Sequence, residues 1–567
     1  KFIVEALDWL VIGVFFLALI GIIVWVVRQK QNDSADYFLG GRDATWLAIG
    51  ASIFASNIGS EHLIGLAGAG ASSGMAMAHW EIQGWMILIL GWVFVPFYSR
   101  SMVYTMPEFL ERRYNPQSRT ILSVISLVSY VLTKVAVTVY AGGLVFQQVF
   151  GIKELWGIDF FWIAAIGLVV LTALYTIFGG MKSVLYTSVL QTPILLLGSL
   201  IILVLGFKEL GGWDEMMRVC GAVTVNDYGD TMTNLIRSND DANFPWLGAL
   251  IGSAIIGFWY WCTDQFIVQR VLSGKNEKEA RRGTIFGAYL KLLPVFLFLI
   301  PGMIAFALHQ KYIGAGGEGF LPMLANGTAN ADAAFPTLVA KLLPAGVKGL
   351  VVCGILAALM SSLASLFNSS AMLFTIDFYK RFRPETPEKK LVGIGQIATV
   401  VIVILGILWI PIMRSVGDVL YTYLQDVQSV LAPGIAAAFL LGICWKRTSA
   451  QGGMWGLIAG MIIGLTRLGA KVYYSNAGEV ADSTFKYLFY DMNWLFFCGW
   501  MFLFCIIVVI VVSLATEAPT AEKIQGLVFG TATKEQKAAT RASWDHWDII
   551  HTVIILAITG AFYWYFW

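Results

Sequence analysis

Long apolar runs alternate with short polar segments along almost the whole chain. A helix needs about 20 apolar residues to cross the hydrocarbon of a bilayer. Fourteen runs meet or approach that length, near 7–27, 45–70, 79–99, 121–150, 158–178, 184–207, 246–268, 284–308, 348–378, 391–413, 417–444, 453–470, 493–514 and 547–567. The pattern predicts an all-α integral membrane protein with about fourteen transmembrane helices in a lipid bilayer.

The second run is interrupted by polar residues. Segment 51–70 has the length of a span, yet its middle carries Asn57, Glu61 and His62 together with glycine and serine. A polar break at membrane depth is tolerated only where the freed backbone groups find protein, ion or water partners. Such breaks build binding sites in transporters, so we expect a discontinuous helix and a ligand site here.

Composition excludes several classes of protein. The 567 residues are 58% hydrophobic and 13% charged, whereas soluble domains contain about 25% charged residues. The net charge of +2 includes no extended basic face, so we expect no nucleic-acid partner. The six cysteines lie mostly in apolar runs and predict neither disulfides nor a zinc site. The histidines lack metal-binding spacing and have no nucleophile motif beside them, so no enzyme is predicted.

Lysine and arginine orient the predicted spans. They concentrate in alternate loops, which places 28–44 and the linker 515–546 in the cytoplasm by the positive-inside rule. Both termini are then extracellular or periplasmic. The polar loops 209–245 and 309–345 are then external caps over the helices.

Charged and polar side chains inside the spans are candidate functional groups. Glu81, Lys291 and Gln425 lie within apolar runs, where a charge costs at least about 2.5–3.5 kcal/mol. One interpretation is an internal Glu81–Lys291 ion pair that holds helices together. The other is a site for a neutral polyol, whose hydroxyls need donors and acceptors together with an aromatic face. Tyr260 and Trp261 could supply that face, although ordinary packing also explains them.

A stripe of small residues forms a second candidate. Its members share one face of a helix, at Ala358, Ser361, Ser362, Ser365 and Ser369. Small residues permit close helix packing, which is one explanation. The hydroxyls also suit Na⁺, with carbonyls freed at the break near Ala55 and Ile58 completing the oxygen ligands.

Seven segments taken in order carry a family resemblance. They are ASNIGS (55–60), YTMPEF (104–109), LYTIFGG (174–180), WYWCTDQFIVQR (259–270), YLKL (289–292), MSSLAS with FTID (360–365 and 374–377) and FLLGICWKR (439–447). The chain resembles the sodium:solute symporter family, in its sodium/glucose cotransporter branch. The resemblance implies a leucine-transporter-like core of two inverted five-helix repeats, each with a discontinuous first helix. It also implies alternating access, with Na⁺ as the coupling ion, a sugar as the solute and no organic cofactor.

The resemblance also implies domain bounds and roles for individual residues. An extra helix and a loop occupy 1–44, the repeats 45–208 and 246–445 flank the external loop 209–245, and three extra helices occupy 446–567. The implied sugar contacts are Asn57, His62, Glu81, Lys291, Gln425, Tyr260 and Trp261. Leu66, Trp80 and Tyr421 correspond to the outer gate, and Tyr260 to the inner gate. For Na⁺, the matching groups are the carbonyls of Ala55, Ile58 and Ala358 and the hydroxyls of Ser361 and Ser362.

Four positions depart from the family pattern. Ser188 stands where relatives usually have Asp, and Ala364 where sugar transporters that carry two sodium ions tend to have Thr. These changes predict one Na⁺ per sugar, and they leave Ser188 and Ser365 as positions on an exit path or at a second site. Gly84 and Gly257 replace side chains that can contact the sugar, so a roomier site is expected.

Several functions remain open from sequence alone. Glucose or galactose is preferred, and myo-inositol or mannose is the near alternative. A carboxylate substrate such as proline or a sialic acid would favour an unpaired cation at the site. An uncoupled sugar sensor or channel belongs to a different class, and a sensor would be expected to carry a signalling domain. The linker 515–546 is shorter than in animal relatives, which favours a bacterial inner membrane.

Overall fold

The structure is a computed structural model of the 567-residue chain. It describes residues 5–29, 32–59, 61–323, 327–416 and 418–567. Side chains are described at these positions except 61, 131–133, 136–137, 141, 144, 148, 332, 409–416, 418–427, 472 and 475. Helices make up 78% of the protein, which confirms the helical class.

The N-terminal third begins with one long apolar helix and continues into broken ones. Its α-helices are α1 (Ala6–Val27), α2 (Ser34–Leu39), α3 (Trp46–Asn57), α4 (Ala67–Ser72), α5 (Ala78–Glu81), α6 (Gly84–Ile89), α7 (Val95–Ser101), α8 (Met106–Arg113), α9 (Pro116–Ser129), α10 (Ala136–Phe150) and α11 (Phe160–Leu210). Short 3₁₀ segments cover Gly40–Arg42 and Gly74–Met77, and π-helical turns cover Glu61–Leu66, Leu90–Phe94 and Tyr130–Val135. Two strands of two residues each, β1 (Glu154–Leu155) and β2 (Ile158–Asp159), pair antiparallel. The sequence pattern did not predict this small hairpin.

The middle of the chain contains a second set of broken helices. They are α12 (Trp213–Gly221), α13 (Trp246–Gly257), α14 (Gln265–Leu272), α15 (Glu277–Lys291), α16 (Ile300–Gly314), α17 (Ala334–Leu342), α18 (Val347–Met372), α19 (Glu388–Val416) and α20 (Asp418–Cys444). π-Helical turns cover Phe258–Thr263, Val295–Leu299 and Leu373–Lys380, and a 3₁₀ segment covers Ala331–Ala333.

The C-terminal part adds three long apolar helices and their connections. Its α-helices are α21 (Ala450–Asn476), α22 (Thr484–Lys486), α23 (Trp494–Ala515), α24 (Ala521–Ile524), α25 (Lys534–Ala542) and α26 (His546–Tyr565), with a π-helical turn at Tyr487–Asp491.

In the described part of the chain, every predicted apolar run lies mostly on helix. Within the described part of the chain, ten helical stretches are long and apolar enough to cross a membrane. The expected count of fourteen is therefore not confirmed, although the predicted runs 158–178 and 184–207 correspond to the two helical segments of α11 on either side of Gly180. That 51-residue helix bends at Gly180, whose φ of 60° and ψ of −148° lie outside helical geometry. A glycine permits this conformation, which an L side chain rarely adopts.

The first broken helix occupies the centre of the molecule. Helix α3 packs against α11, α15 and α18. Helix α18 is buried over most of its length, as expected for a helix surrounded by others rather than by lipid. The two candidate regions of the sequence, on α3 and α18, are therefore neighbours.

One outer helix is fixed to α18 by a carboxylate. Asp8 in α1 is fully buried, and its Oδ1 accepts hydrogen bonds from the amides of Gly346 at 2.6 Å and Gly349 at 2.8 Å. The first amides of a helix lack intrahelical partners. Asp8 therefore caps the N-terminus of α18 from a different helix.

Candidate functional site

The first discontinuous helix opens between α3 and the turn Glu61–Leu66. Helix α3 ends at Asn57, and Ile58 is extended, with φ −78° and ψ 116°. The last carbonyls of α3 therefore lose their helical partners. The side-chain amide nitrogen of Asn57, Nδ2, is buried and has no hydrogen-bond partner among the described residues. The break thus offers backbone acceptors and a side-chain donor at one place.

Three predicted residues meet beside this break. Oε2 of Glu81 accepts a hydrogen bond from Nζ of Lys291 at 2.8 Å and lies 3.1 Å from Nε2 of His62. The amide of Gly59 donates to Nδ1 of His62 at 3.5 Å. Because Nδ1 accepts, the proton of a neutral His62 is on Nε2 and faces Glu81.

The Glu81 carboxylate is almost completely buried, but only one of its two oxygens accepts hydrogen bonds from the described residues. The side chains of Glu81, Lys291 and His62 are 12%, 4% and 6% exposed. Both of these hydrogen bonds go to Oε2, and Oε1 has no partner in the described part of the chain. Oε1 is therefore available to accept a hydrogen bond from a solute hydroxyl.

Aromatic rings border this cluster. Nζ of Lys291 lies 5.2 Å from the ring centroid of Trp261, and Tyr260 meets Trp261 edge to face at 4.9 Å. The indole N–H of Trp261 donates to Oε1 of Gln83 at 3.1 Å, and the Gln83 amide donates to the Ser253 carbonyl at 2.8 Å. Gln83 therefore fixes the ring. Sequence reasoning missed it, although it lies two residues after Glu81 in the same polar interruption.

The serine stripe of α18 faces α3 and α11. The hydroxyl of Ser361 donates to Oε1 of Gln191 in α11. Ser365 donates to the carbonyl of Ser361 at 2.9 Å and shares a hydrogen bond with the hydroxyl of Ser56 in α3. A Cβ placed on Gly59 would lie 3.1 Å from the hydroxyl of Ser362. The stripe therefore meets the helical break, which is the arrangement expected of a small cation site between the two helices.

Comparison with known proteins decides the family. A model of the sodium:solute symporter family matches residues 37–460. This chain belongs to the sodium:solute symporter family.

Relatives with assigned names cover nearly the whole chain. The Mus musculus sodium/myo-inositol cotransporter 2 is 37% identical over 541 residues, which are 93% of this chain and 79% of that protein. The Danio rerio sodium/glucose cotransporter 4 is 35% identical over 563 residues, which are 96% of this chain and 84% of that protein.

Solved structures identify the fold. A substrate-bound, outward-open Na⁺-coupled sialic acid symporter has a TM-score of 0.73 at 22% identity and covers 91% of this chain and 99% of its own. MhsT in complex with L-phenylalanine has a TM-score of 0.50 at 12% identity and covers 83% of this chain and 99% of its own. The predicted leucine-transporter-like fold, with its two discontinuous helices, is confirmed.

This sodium:solute symporter is therefore an integral membrane transporter that couples Na⁺ to a small-molecule solute, and it is not an enzyme. The named relatives given above are animal proteins. They do not support the expected bacterial inner membrane, and they do not test the orientation of the termini.

The predicted gates are only partly described. The side chains of Tyr421 and Gln425 lie outside the described residues. Leu66 is buried, and Trp80 stacks on Trp494 with ring centroids 5.5 Å apart. The ring of Trp80 also meets Phe244 of the loop 209–245 at 5.8 Å. Their gating role in the symporter stays a prediction.

Ser188 is buried in α11, and its hydroxyl makes a hydrogen bond within that helix. Its Oγ donates to the carbonyl of Val184 in the same helix at 2.7 Å. Ser365, by contrast, is bonded across to α3. The role of either residue on an exit path or at a second sodium site stays a prediction.

The expectation of a roomier site at two glycines is wrong. A Cβ on Gly257 would lie 2.8 Å from Nε2 of Gln83, and a Cβ on Gly84 would lie 2.9 Å from the Ala288 carbonyl. The space that a side chain would fill is already occupied by neighbouring atoms. These glycines permit close packing around Gln83 and Ala288.

A second charged cluster lies at the other discontinuous helix. Asp264 is extended between the turn Phe258–Thr263 and α14. Its Oδ2 lies 3.2 Å from Nζ of Lys134, and its Oδ1 accepts the hydroxyl of Tyr130. Sequence reasoning missed this pair. Lys134 is a lone charge within the predicted span 121–150, and the cost of buried charge that identified Glu81 applies to it equally.

Proposed function

We propose that the protein takes up a monosaccharide, glucose or galactose, by coupling its entry to the inward movement of one Na⁺. The observation that carries this proposal is the Glu81 carboxylate. It is held on Oε2 by Lys291 and His62 and has Oε1 available, while Lys291 lies against the ring of Trp261.

The chemistry of this cluster suits a neutral polyol. A sugar hydroxyl both donates and accepts, so it can donate to Oε1 of Glu81 and accept from the Asn57 amide. The indole face of Trp261, fixed by Gln83, suits the apolar C–H surface of a sugar ring. A carboxylate solute would favour an unpaired cation, whereas the charge of Lys291 is already neutralised by Glu81. We therefore favour a neutral solute.

The sodium site of the proposal lies between α3 and α18. Its oxygen ligands are the carbonyls of Ala55, Ile58 and Ala358 and the hydroxyls of Ser361 and Ser362. Gln191 accepts the proton of Ser361, which directs the lone pairs of that hydroxyl toward a cation. Because the break joins this region to Asn57, ordering it around Na⁺ also positions a sugar contact. This shared element provides the coupling.

A second candidate solute is myo-inositol. The observation that favours it is the 37% identity to a protein named sodium/myo-inositol cotransporter 2. A cyclic hexitol offers the same hydroxyl groups to Glu81 and Asn57 as a hexose does.

Sodium-driven uptake into liposomes tests the proposal. We expect labelled glucose or galactose to accumulate only with an inward Na⁺ gradient. Unlabelled glucose, galactose, mannose, myo-inositol and proline are then added in turn, and the compound that inhibits this uptake most strongly identifies the solute. Lys291→Ala should abolish accumulation, whereas Lys486→Ala, in an exposed pair with Asp482, should not. Uptake by Lys291→Ala at the wild-type rate would contradict the sugar assignment.

The stoichiometry has its own test. Because Ser188 stands where relatives usually have Asp, and Ala364 where sugar transporters that carry two sodium ions tend to have Thr, we expect the reversal potential of transport to give one Na⁺ per sugar. A ratio of two would show that these changes do not remove a second site.

A further inference from the structure

A cavity lies outside the transport path, at one face of the membrane region. It has a volume of about 150 Å³ and lies between the end of α7, helix α8 and the segment that follows α24. Helix α7 ends at Ser101, where a candidate span ends, and segment 516–545 connects the candidate spans Trp494–Ala515 and His546–Tyr565. The cavity therefore lies at the depth where helices leave the hydrocarbon and meet lipid headgroups.

Two arginines give the cavity its charge. Arg100 and Arg112 both line it, and no acidic residue is among its described lining residues. Nη2 of Arg100 donates to the hydroxyl of Thr540 at 2.9 Å, but its Nε is buried and has no hydrogen-bond partner in the described part of the chain. Arg112 donates to the Ser101 carbonyl and to Glu108 at 3.2 Å. Glu108 neutralises part of the charge of Arg112, and Arg100 has no hydrogen-bonded carboxylate.

An amide adds a further donor. Oε1 of Gln536 accepts from the backbone N–H of Thr533 at 3.0 Å, so its orientation is fixed by a capping box. The amide group lies beside Gly526, which also lines the cavity, and a Cβ on Gly526 would lie 3.2 Å from Nε2 of Gln536 and 3.3 Å from its Oε1. The cavity is thus lined by guanidinium and amide donors, which together suit a ligand with several acceptor oxygens.

We propose that this cavity binds a phosphate group. Arginine forks match phosphate oxygens in geometry and charge. The volume is below the ~300–1,000 Å³ of pockets that hold drug-sized ligands, so the bound part is compact. The phosphate comes either from an anionic lipid headgroup or from inorganic phosphate in solution. When bound, it links segment 516–545 to α7 and α8.

Thermal unfolding of the full-length protein tests this site. Inorganic phosphate is titrated in detergent at constant ionic strength, and nanodiscs of phosphatidylcholine are compared with nanodiscs that also contain phosphatidylglycerol. We expect a saturable rise of the unfolding midpoint in at least one arm. Arg100→Gln with Arg112→Gln should raise the ligand concentration for half effect about tenfold or more. Arg383→Gln, an exposed arginine outside the cavity, should keep the wild-type response.

Comparing the phosphate titration with the nanodisc measurement identifies where the bound phosphate group comes from. A response to phosphatidylglycerol alone assigns a lipid headgroup, and a response to inorganic phosphate assigns the free ion. The proposal is overturned if neither raises the wild-type midpoint, or if the double variant responds as the wild type does. If the double variant does not fold, calorimetric titration of wild type and of Arg112→Gln with inorganic phosphate and with short-chain phosphatidylglycerol replaces it. Absence of binding heat for both ligands, or equal affinities in the two proteins, overturns the site.

Discussion

At the scale of single residues, Glu81 combines a structural ion pair with a proposed role in solute binding. Its carboxylate neutralises Lys291 through Oε2 and keeps Oε1 available. Breaking one partner of a buried pair leaves an uncompensated charge and costs about 3–5 kcal/mol, whereas replacing both with apolar or neutral groups is often neutral for stability. A paired replacement can therefore separate the two roles.

The combination Glu81→Gln with Lys291→Met provides that separation. We expect Lys291→Met alone to lower the unfolding midpoint, and the double variant to recover most of that loss. Sodium-driven sugar uptake should stay absent in both, because the donor and the charged acceptor are gone. Midpoints by differential scanning fluorimetry and uptake into liposomes measure the two properties. Recovered uptake in the double variant would assign Glu81 and Lys291 a purely structural role.

Gln191 gives a second prediction at this scale. Its Oε1 accepts the hydroxyl proton of Ser361, so Gln191→Leu should misorient that oxygen and raise the Na⁺ concentration for half-maximal uptake about tenfold. Gln191→Glu keeps an acceptor and should rescue part of the loss. Thr172→Val removes a buried hydroxyl that bonds within α11 and serves as the control. An unchanged sodium dependence in Gln191→Leu would remove Gln191 from the proposed site.

Some residues of the site could be predicted from the sequence and others could not. Glu81, Lys291 and His62 could be singled out because charge and polarity are costly in a span, and the structure does bring them together. Gln83 and Gln191 were missed, because their partners, Trp261 and Ser361, are 178 and 170 residues away in the chain. Contacts between residues so far apart in the chain produce no short spacing pattern that could be recognised in the sequence.

At the scale of helices, the cap that α1 provides to α18 yields a stability prediction. Asp8→Ala should leave the amides of Gly346 and Gly349 without their acceptor and destabilise the protein by about 0.5–2 kcal/mol. Asp8→Asn should cost less, since it keeps an acceptor oxygen. Asp482→Asn, whose side chain is 96% exposed, is the control. The unfolding midpoint measures the effect, and equal midpoints for Asp8→Ala and the wild type would show that the cap adds nothing.

Helix positions followed from hydropathy, but helix continuity did not. Apolar runs correctly located the helices because burial in lipid or protein selects them. The runs 158–178 and 184–207 were separated correctly at the kink of Gly180, but their direct connection without a loop was missed, since a glycine pair is also compatible with a loop. The π-helical turns were missed as well, because a single inserted residue leaves the apolar pattern nearly unchanged.

At the scale of the whole molecule, the membrane orientation is a testable prediction. The connection 477–493 and the linker 516–545 lie at opposite ends of α23, and the positive-inside rule places the linker in the cytoplasm. In a Cys444→Ser background, which removes the exposed native thiol, we expect Glu479→Cys in intact cells to react with an impermeant maleimide. Glu535→Cys should react only after the membrane is opened. The reverse pattern would invert the topology.

The contact between Asp8 and the start of α18 joins residues 338 positions apart in the chain. During synthesis, α1 emerges early, whereas Gly346 follows only after most of the core has been made. Until α18 has been made, water or lipid headgroups must therefore supply the hydrogen bonds that the Asp8 carboxylate later receives from Gly346 and Gly349. Assembly of this transporter then includes moving a charged side chain out of the interface and onto a helix end that did not exist when α1 was inserted.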